Sequence, residues 1–253
     1  MIITLSPAKM MHFAGKQIAL DLTEPLFKRQ RDEIMSLLMP LSIDEIIGLM
    51  NVQVKQAYTV SEQLHQFFSE KSPEGAAALT YNGMAYKGLN FESLNKSEME
   101  YAQQHLLITS AVYGFLRPLD KIKAYRLELQ ASLKNSGGKD LYGYWGNVLT
   151  EYFSKRLLED DRIWLNLSSD EYAKVIQRKL LPSGISIITP QFKEEGPKGY
   201  RQVVVHTKKA RGTMARFVIQ HQIKTRDELC AFDLDGYVYA EHLSKRDEPV
   251  FIR

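Results

Sequence analysis

A chain of 253 residues, 44% hydrophobic and 25% charged, is long enough to bury a large core and too apolar to be disordered. Its net charge of +3 singles out no partner class, one cysteine excludes an intrachain disulfide, and no apolar run approaches the roughly 18 residues of a bilayer span. The lone Cys230 fits a reducing cytoplasm, the start lacks a signal-peptide pattern, and scattered histidines without a Cys partner give no conventional zinc site.

"MIITLSPAKMM" at the start reads as a short strand. The "SPAK" that follows suits a capped turn, with Ser6 at the cap, Pro7 at the first helical position and Lys9 one turn in. There Lys9 reaches an anion bound near the turn, unless the turn is only structural. Residues 24–104 read as mainly helical. Within them, residues 41–67 pair Ser42 with Glu45 as a capping box, ahead of Ile43, Ile46, Ile47 and Met50 at helical spacing. A second amphipathic run starts at Val54 and stacks Ala57, Val60, Ser61 and Leu64. Two helices joined by about four residues resemble a helix-hairpin-helix, whose hairpin reads Leu-Pro-Gly-Ile-Gly-x-Lys-x-Ala. Leu49, Val52, Lys55 and Ala57 match, while Asn51 and Gln53 stand where the glycines belong. Such a hairpin holds a DNA phosphate on backbone amides, with Lys55 adding charge. The alternative is an ordinary αα-hairpin that packs a core.

"RPLDKIKAYRLELQ" (117–130) mixes core residues with Arg117, Asp120, Arg126 and Glu128. Arg117 precedes Pro118 and should be extended. From Tyr125 the pattern alternates, Leu127, Leu129 and Ala131 facing one way and Arg126, Glu128 and Gln130 the other. Two explanations stay open. The four charges form a buried ion-pair network, or they wall a polar cleft in which the arginines bind phosphate or carboxylate.

Further along, Leu141, Trp145, Val148, Leu149 and Tyr152 make one apolar helical stripe, which puts Trp145 in the core. "NSGGKD" (135–140) and "EEGPKG" (194–199) read as loops. "RIWLNL" (162–167), "ISIITPQF" (185–192) and "RQVVVHT" (201–207) read as strands alternating with helices, so the class is mixed α/β. In "NLSSDEYAKVI" (166–176), Ser168 and Glu171 form a second capping box, which accounts for both residues structurally. The strand-to-helix exit there makes Ser168, Ser169 and Asp170 candidate ligand contacts. From Gly196 to Arg226 there are eight Lys or Arg and no Asp or Glu, a distribution suited to a surface that meets phosphate. Its helix, 206–222, buries Ala210, Met214, Phe217, Val218 and His221 and turns Lys208, Lys209, Gly212 and Arg216 the other way. A glycine costs a helix about 1 kcal/mol relative to alanine, so Gly212 suggests close approach by an anion or by another backbone. The last 27 residues turn acidic, with Asp227, Glu228, Asp233, Asp235, Glu241, Asp247 and Glu248. No repeat or linker divides the chain, which is read as one domain, 1–253.

Five blocks, "SPAK", "SAVYGFLRPLDKIKAYRLEL" (110–129), "GKDLYGYWG" (138–146), "NLSSDEY" (166–172) and "KKARGTMARF" (208–217), stand in the order they have in the YaaA family of bacterial proteins, which the chain resembles along nearly its whole length. Ala124 departs from the proline that the family often places before Tyr125. The resemblance implies a cytoplasmic protein of the peroxide-stress response, linked to low free iron and limited oxidative DNA damage. It also implies a DNA binder with one compact α/β fold of unusual shape, a helix-hairpin-helix and a positively charged cleft.

The expectation is therefore a protein that contacts the backbone of double-stranded or distorted DNA through Lys9, Lys55, Arg117, Arg126, Lys208, Lys209, Arg211, Gly212 and Arg216. It would act as a monomer without cofactor or metal. The alternative is an enzyme acting on a nucleotide or on a DNA phosphate or lesion in the same cleft, with Asp120, Glu128 or Asp170 as acid or base. A helix-hairpin-helix glycosylase or lyase would be a special case. No Walker loop, dinucleotide fingerprint, metal motif or nucleophile elbow narrows that reading. An iron-handling or scaffold role for the acidic tail is a third possibility.

Overall fold

The computed structural model describes residues 1–13, 20–197 and 199–253. Its first strand, β1 (Ile2–Leu5), is buried at every position, so it belongs in the middle of a sheet covered on both faces. Helices α1 (Lys28–Leu38), α2 (Ile43–Met50) and α3 (Val54–Gln66) follow. The short β2 (Glu74–Ala76), α4 (Ala77–Thr80), α5 (Met84–Leu89) and α6 (Lys96–His105) lead to β3 (Leu106–Ser110). Then come β4 (Gly114–Leu116), β5 (Lys121–Lys123), the long α7 (Leu141–Glu159), β6 (Ile163–Leu167) and α8 (Asp170–Ala173). The chain ends with β7 (Ser186–Ile188), β8 (Gln191–Lys193), α9 (Val204–His221), α10 (Arg226–Leu229), β9 (Val238–Tyr239) and β10 (Val250–Ile252).

The main sheet has the order β4-β3-β1-β6-β7, all parallel except β4, which runs antiparallel to β3. From β1 the chain moves outward to β3, then returns to the other side of β1 to lay down β6 and β7. Connections thus leave the neighbours β1 and β6 in opposite directions, opening a crevice beyond their carboxyl ends, the place where open α/β sheets hold ligands. The remaining strands form a second sheet, β8-β10-β9, and a β2-β5 pair. Trp145 is buried as its apolar stripe requires and donates its indole N–H to the Ala111 carbonyl at 2.8 Å.

The paired helices of residues 41–67 form as expected, with both halves of the Ser42–Glu45 capping box in place. Only Asn51, Val52 and Gln53 join α2 to α3. Asn51 takes the left-handed conformation, φ 49°, which asparagine tolerates better than most residues, whereas Gln53 is extended and needs no glycine. The hairpin therefore closes without its glycines.

Several local expectations change, His221 among them, which is exposed at the end of α9 and not buried. "SPAK" makes no helical turn and runs as a loop. "RQVVVHT" is not a strand: α9 starts at Val204, because burial of the long helix behind it outweighs the strand preference of three valines. "ISIITPQF" divides at Pro190, which has no N–H to continue a ladder, so β7 stays in the main sheet while β8 joins the second. Among the described residues, no helix is long and apolar enough to cross a membrane.

Candidate functional site

A cavity of about 360 Å³ lies at the crevice between β1 and β6. Leu5 and Ser6 from the end of β1, and Leu167 and Ser169 from the end of β6, form its floor. The two strand ends are tied together, since the Ser6 hydroxyl accepts the Ser169 amide at 2.9 Å. Beneath them the Asn166 Oδ1 accepts the Ser168 amide at 3.1 Å. Tyr86 donates its hydroxyl to the Ser6 carbonyl at 3.0 Å, anchoring α5 against the same turn. Tyr125 is fixed by hydroxyl contacts to Ser110 at 2.7 Å and Tyr81 at 2.6 Å, and burial pushes its pKa up to about 12.

Beyond Tyr125 no strand forms, and the chain turns at 129–130 with the Ala131 amide donating to the Glu128 carbonyl at 3.1 Å, yet the alternation in burial holds. Leu127, Leu129 and Ala131 are buried, while Arg126 and Glu128 face the cavity. The Glu128 carboxylate meets the Lys9 ammonium at 2.5 Å and the Arg126 guanidinium at 3.7 Å, and accepts the Gln130 amide N–H at 3.1 Å. Lys208 and Arg211 of α9 complete the charged lining. Neither side chain forms an ion pair or hydrogen bond among the described residues, although burial pulls the Arg211 pKa down, partly countered by Asp170. The Arg126 Nε and the Glu171 Oε1 are buried without hydrogen-bond partners.

Glu171 is the acid that sequence reading missed. Its spacing from Ser168 imitated a capping box, but α8 is capped at Ser169, so Glu171 occupies the second helical position, not the third. Ser169 makes no side-chain cap because it engages Ser6 instead, and the Ser168 hydroxyl is buried without a partner. Glu171 is left lining the cavity. Burial and then the Glu128 charge raise its pKa above the ordinary 4.5, against opposing pulls from the Gln130 and Leu129 amides and Lys9.

A carboxyl with a raised folded-state pKa holds its proton more tightly in the folded chain than in the unfolded one. Its contribution to stability is therefore present below the unfolded value and is lost as pH rises through the folded one. Glu171→Gln should raise Tm at neutral pH, and the gain should vanish below about pH 4. Thermal melts across pH check this.

A second groove, about 780 Å³, shares Lys9, Arg126, Leu127 and Glu128 with the cavity, and its far wall is the α2 end and hairpin, Gly48 to Asn51. The paired helices thus border the charged site. Lys55 is exposed on the first turn of α3 and lines neither cavity.

The structure gathers Lys9, Arg126, Glu128, Lys208 and Arg211 and leaves the other expected residues elsewhere. Arg117 and Asp120 form their own pair at 2.8 Å, so the four charges of 117–130 serve two purposes. Lys209 is bound to Asp235 at 2.8 Å. Arg216 donates to the Asn90 carbonyl at 2.9 Å, capping the end of α5. Gly212 faces α5, where a Cβ would fall 2.6 Å from the Ala85 carbonyl carbon and closer to its oxygen. The glycine allows two helix backbones to touch. Asp170 is exposed at the start of α8 and lines neither the cavity nor the groove. Among the described residues, no group of three or more His, Cys, Asp or Glu could hold a metal ion.

The family model described as peroxide stress protein YaaA matches residues 1–243. A UPF0246 protein of Shewanella sp. (strain MR-4) is 38% identical over all of this chain and 99% of its own length. Another, from Alteromonas mediterranea, is 36% identical over all of this chain and 98% of its own. With that coverage, the chain belongs to the YaaA family of peroxide stress proteins.

Proposed function

We propose that the protein serves the peroxide-stress response by binding DNA, contacting backbone phosphates through Lys9, Arg126, Lys208 and Arg211. The observation that carries this reading is the convergence of cations from three distant segments on one cavity, where four face only two carboxyls. The Arg211 guanidinium is mostly withdrawn from solvent and touches no carboxylate among the described residues, and Asp170 offsets its burial only in part, so a phosphate placed there would gain a strong charge-assisted contact. The hairpin beside the shared groove supports a backbone contact there, with Lys55 at its edge in the helix-hairpin-helix manner. The partner on this reading is double-stranded or distorted DNA bound by a monomer. Limited DNA damage and low free iron follow downstream of that contact.

Fluorescence anisotropy with a labelled duplex tests it. The Lys208→Ala/Arg211→Ala double variant should bind about 10- to 100-fold more weakly, whatever the sequence. Lys55→Ala should lose only about threefold, as a rim contact. Unchanged affinity in the double variant would refute the assignment.

A further inference from the structure

We propose that the cavity is also a catalytic site, which takes one nucleotide extruded from DNA and hydrolyses its N-glycosidic bond, with Glu171 as proton donor and Glu128 as base. The proposal rests on the DNA-binding reading for delivery of its substrate. At about 360 Å³ the cavity suits a single small ligand and excludes a stacked duplex, so a nucleotide that enters has left its helix. Its mouth bears apolar side chains that water should disfavour, Met10 at 67% exposure and Val204 at 66%. Apolar wedges of this kind fill a base stack when a nucleotide is withdrawn. Inside, Tyr86, Tyr125 and Tyr172 offer buried rings to a base, while Lys208 and Arg211 offer charge to its phosphate.

The carboxyls decide the chemistry. A carboxylate beside a phosphorus under attack repels the charge already there. Beside a sugar C1′ it stabilises the positive charge that develops as the base departs. Glu128 is held by Lys9 and Arg126, whereas Glu171 has a buried oxygen with no partner and a neighbouring negative charge that favours its protonated form. Two acids so differently surrounded divide into donor and acceptor. In the step, the C1′–N bond breaks with its electron pair going to the base, which takes the Glu171 proton. Water bonds to C1′ and gives a proton to Glu128. Return of that proton to Glu171 restores both groups, and the balance is one water consumed, with one free base and one sugar hydroxyl formed.

The test incubates the protein with labelled single- and double-stranded oligonucleotides carrying one oxidised or deaminated base, and with nucleoside 5′-monophosphates. Free base is measured by chromatography and abasic sites by alkaline cleavage, with anisotropy on the same samples. Wild type should release base, and Glu171→Gln and Glu128→Gln should each slow release by about 100-fold or more while binding stays within about threefold. Thermal melts of both variants establish that they fold. Oligonucleotides that bind but stay intact, a Glu171→Gln variant with wild-type release, or loss of phosphate in place of base would overturn the proposal and leave DNA binding standing. If oligonucleotides fail to bind, the DNA reading falls by itself. The monophosphates then decide the chemistry, base release upholding it and none overturning it.

Discussion

Gly212→Leu is expected to lower Tm by about 6–12 °C. The position lies where α9 crosses α5, and the atoms a side chain would strike are the Ala85 carbonyl group and the Leu89 amide nitrogen. Backbone inside a helix cannot step aside as a side-chain tip can. The partner surface is equally bare, because a Cβ on Gly88 would fall 2.7 Å from the Thr213 amide nitrogen. Overpacking a core typically costs 1–3 kcal/mol, and with rigid backbone on both sides about 3 kcal/mol is a lower bound. In a chain of this size each kcal/mol moves Tm by about 2–4 °C. Gly212→Leu should also weaken DNA binding, since α9 carries Lys208 and Arg211. A direct anion-binding glycine would instead lose affinity with its stability unchanged.

Asp120→Ala is expected to cost about 3–5 kcal/mol, the usual loss when one partner of a buried charge pair is removed. Asp120 is 0% exposed. Its carboxylate accepts the Arg117 amide at 2.8 Å, the Arg117 guanidinium at 2.8 and 3.1 Å, and the Thr23 hydroxyl at 2.6 Å. Removing it takes an acceptor from four donors, three on Arg117 in the turn that carries the chain from β4 into β5 and one on Thr23, and only the Arg117 Nη2 keeps another, the Glu24 carbonyl at 2.9 Å. With three of those bonds on Oδ1, one on Oδ2 and no exposed surface, Asp120 is out of reach of a substrate. Asp120→Asn should accordingly lose stability in chemical denaturation but keep DNA affinity within about twofold, as expected for a residue with no backbone contact. A large loss of affinity at unchanged stability would return Asp120 to the site.

These two residues also mark how much of the molecule is legible from sequence. Local patterns carried their information well. The period of two after Tyr125 correctly turned Arg126 and Glu128 outward, although no ladder holds that segment. The Ser42–Glu45 spacing gave a real helix start. Patterns that need a distant partner did not resolve. A glycine among cations on a helix suits a ligand or a helix crossing equally, and the α5 backbone that decides the matter lies more than 120 residues away. Glu171 was hidden by a one-residue shift of a helix cap, which follows from the Ser6–Ser169 contact between two strand ends. The crevice itself depends on β6 returning to the far side of β1, and strand order is a property of pairing that no local period encodes.

The central claim is that Lys9, Arg126, Lys208 and Arg211 act together on one phosphate-bearing strand. The most direct test is the dependence of log K on log salt for a labelled duplex, with wild type compared against the variant in which all four are alanine. A control variant, Lys209→Ala/Arg216→Ala, removes cations already bound to Asp235 and to the Asn90 carbonyl. The account predicts a salt slope shallower by about 3.6 in the fourfold variant, at about 0.9 per phosphate contact, and a slope equal to wild type in the control. Parallel lines for wild type and the fourfold variant would contradict it.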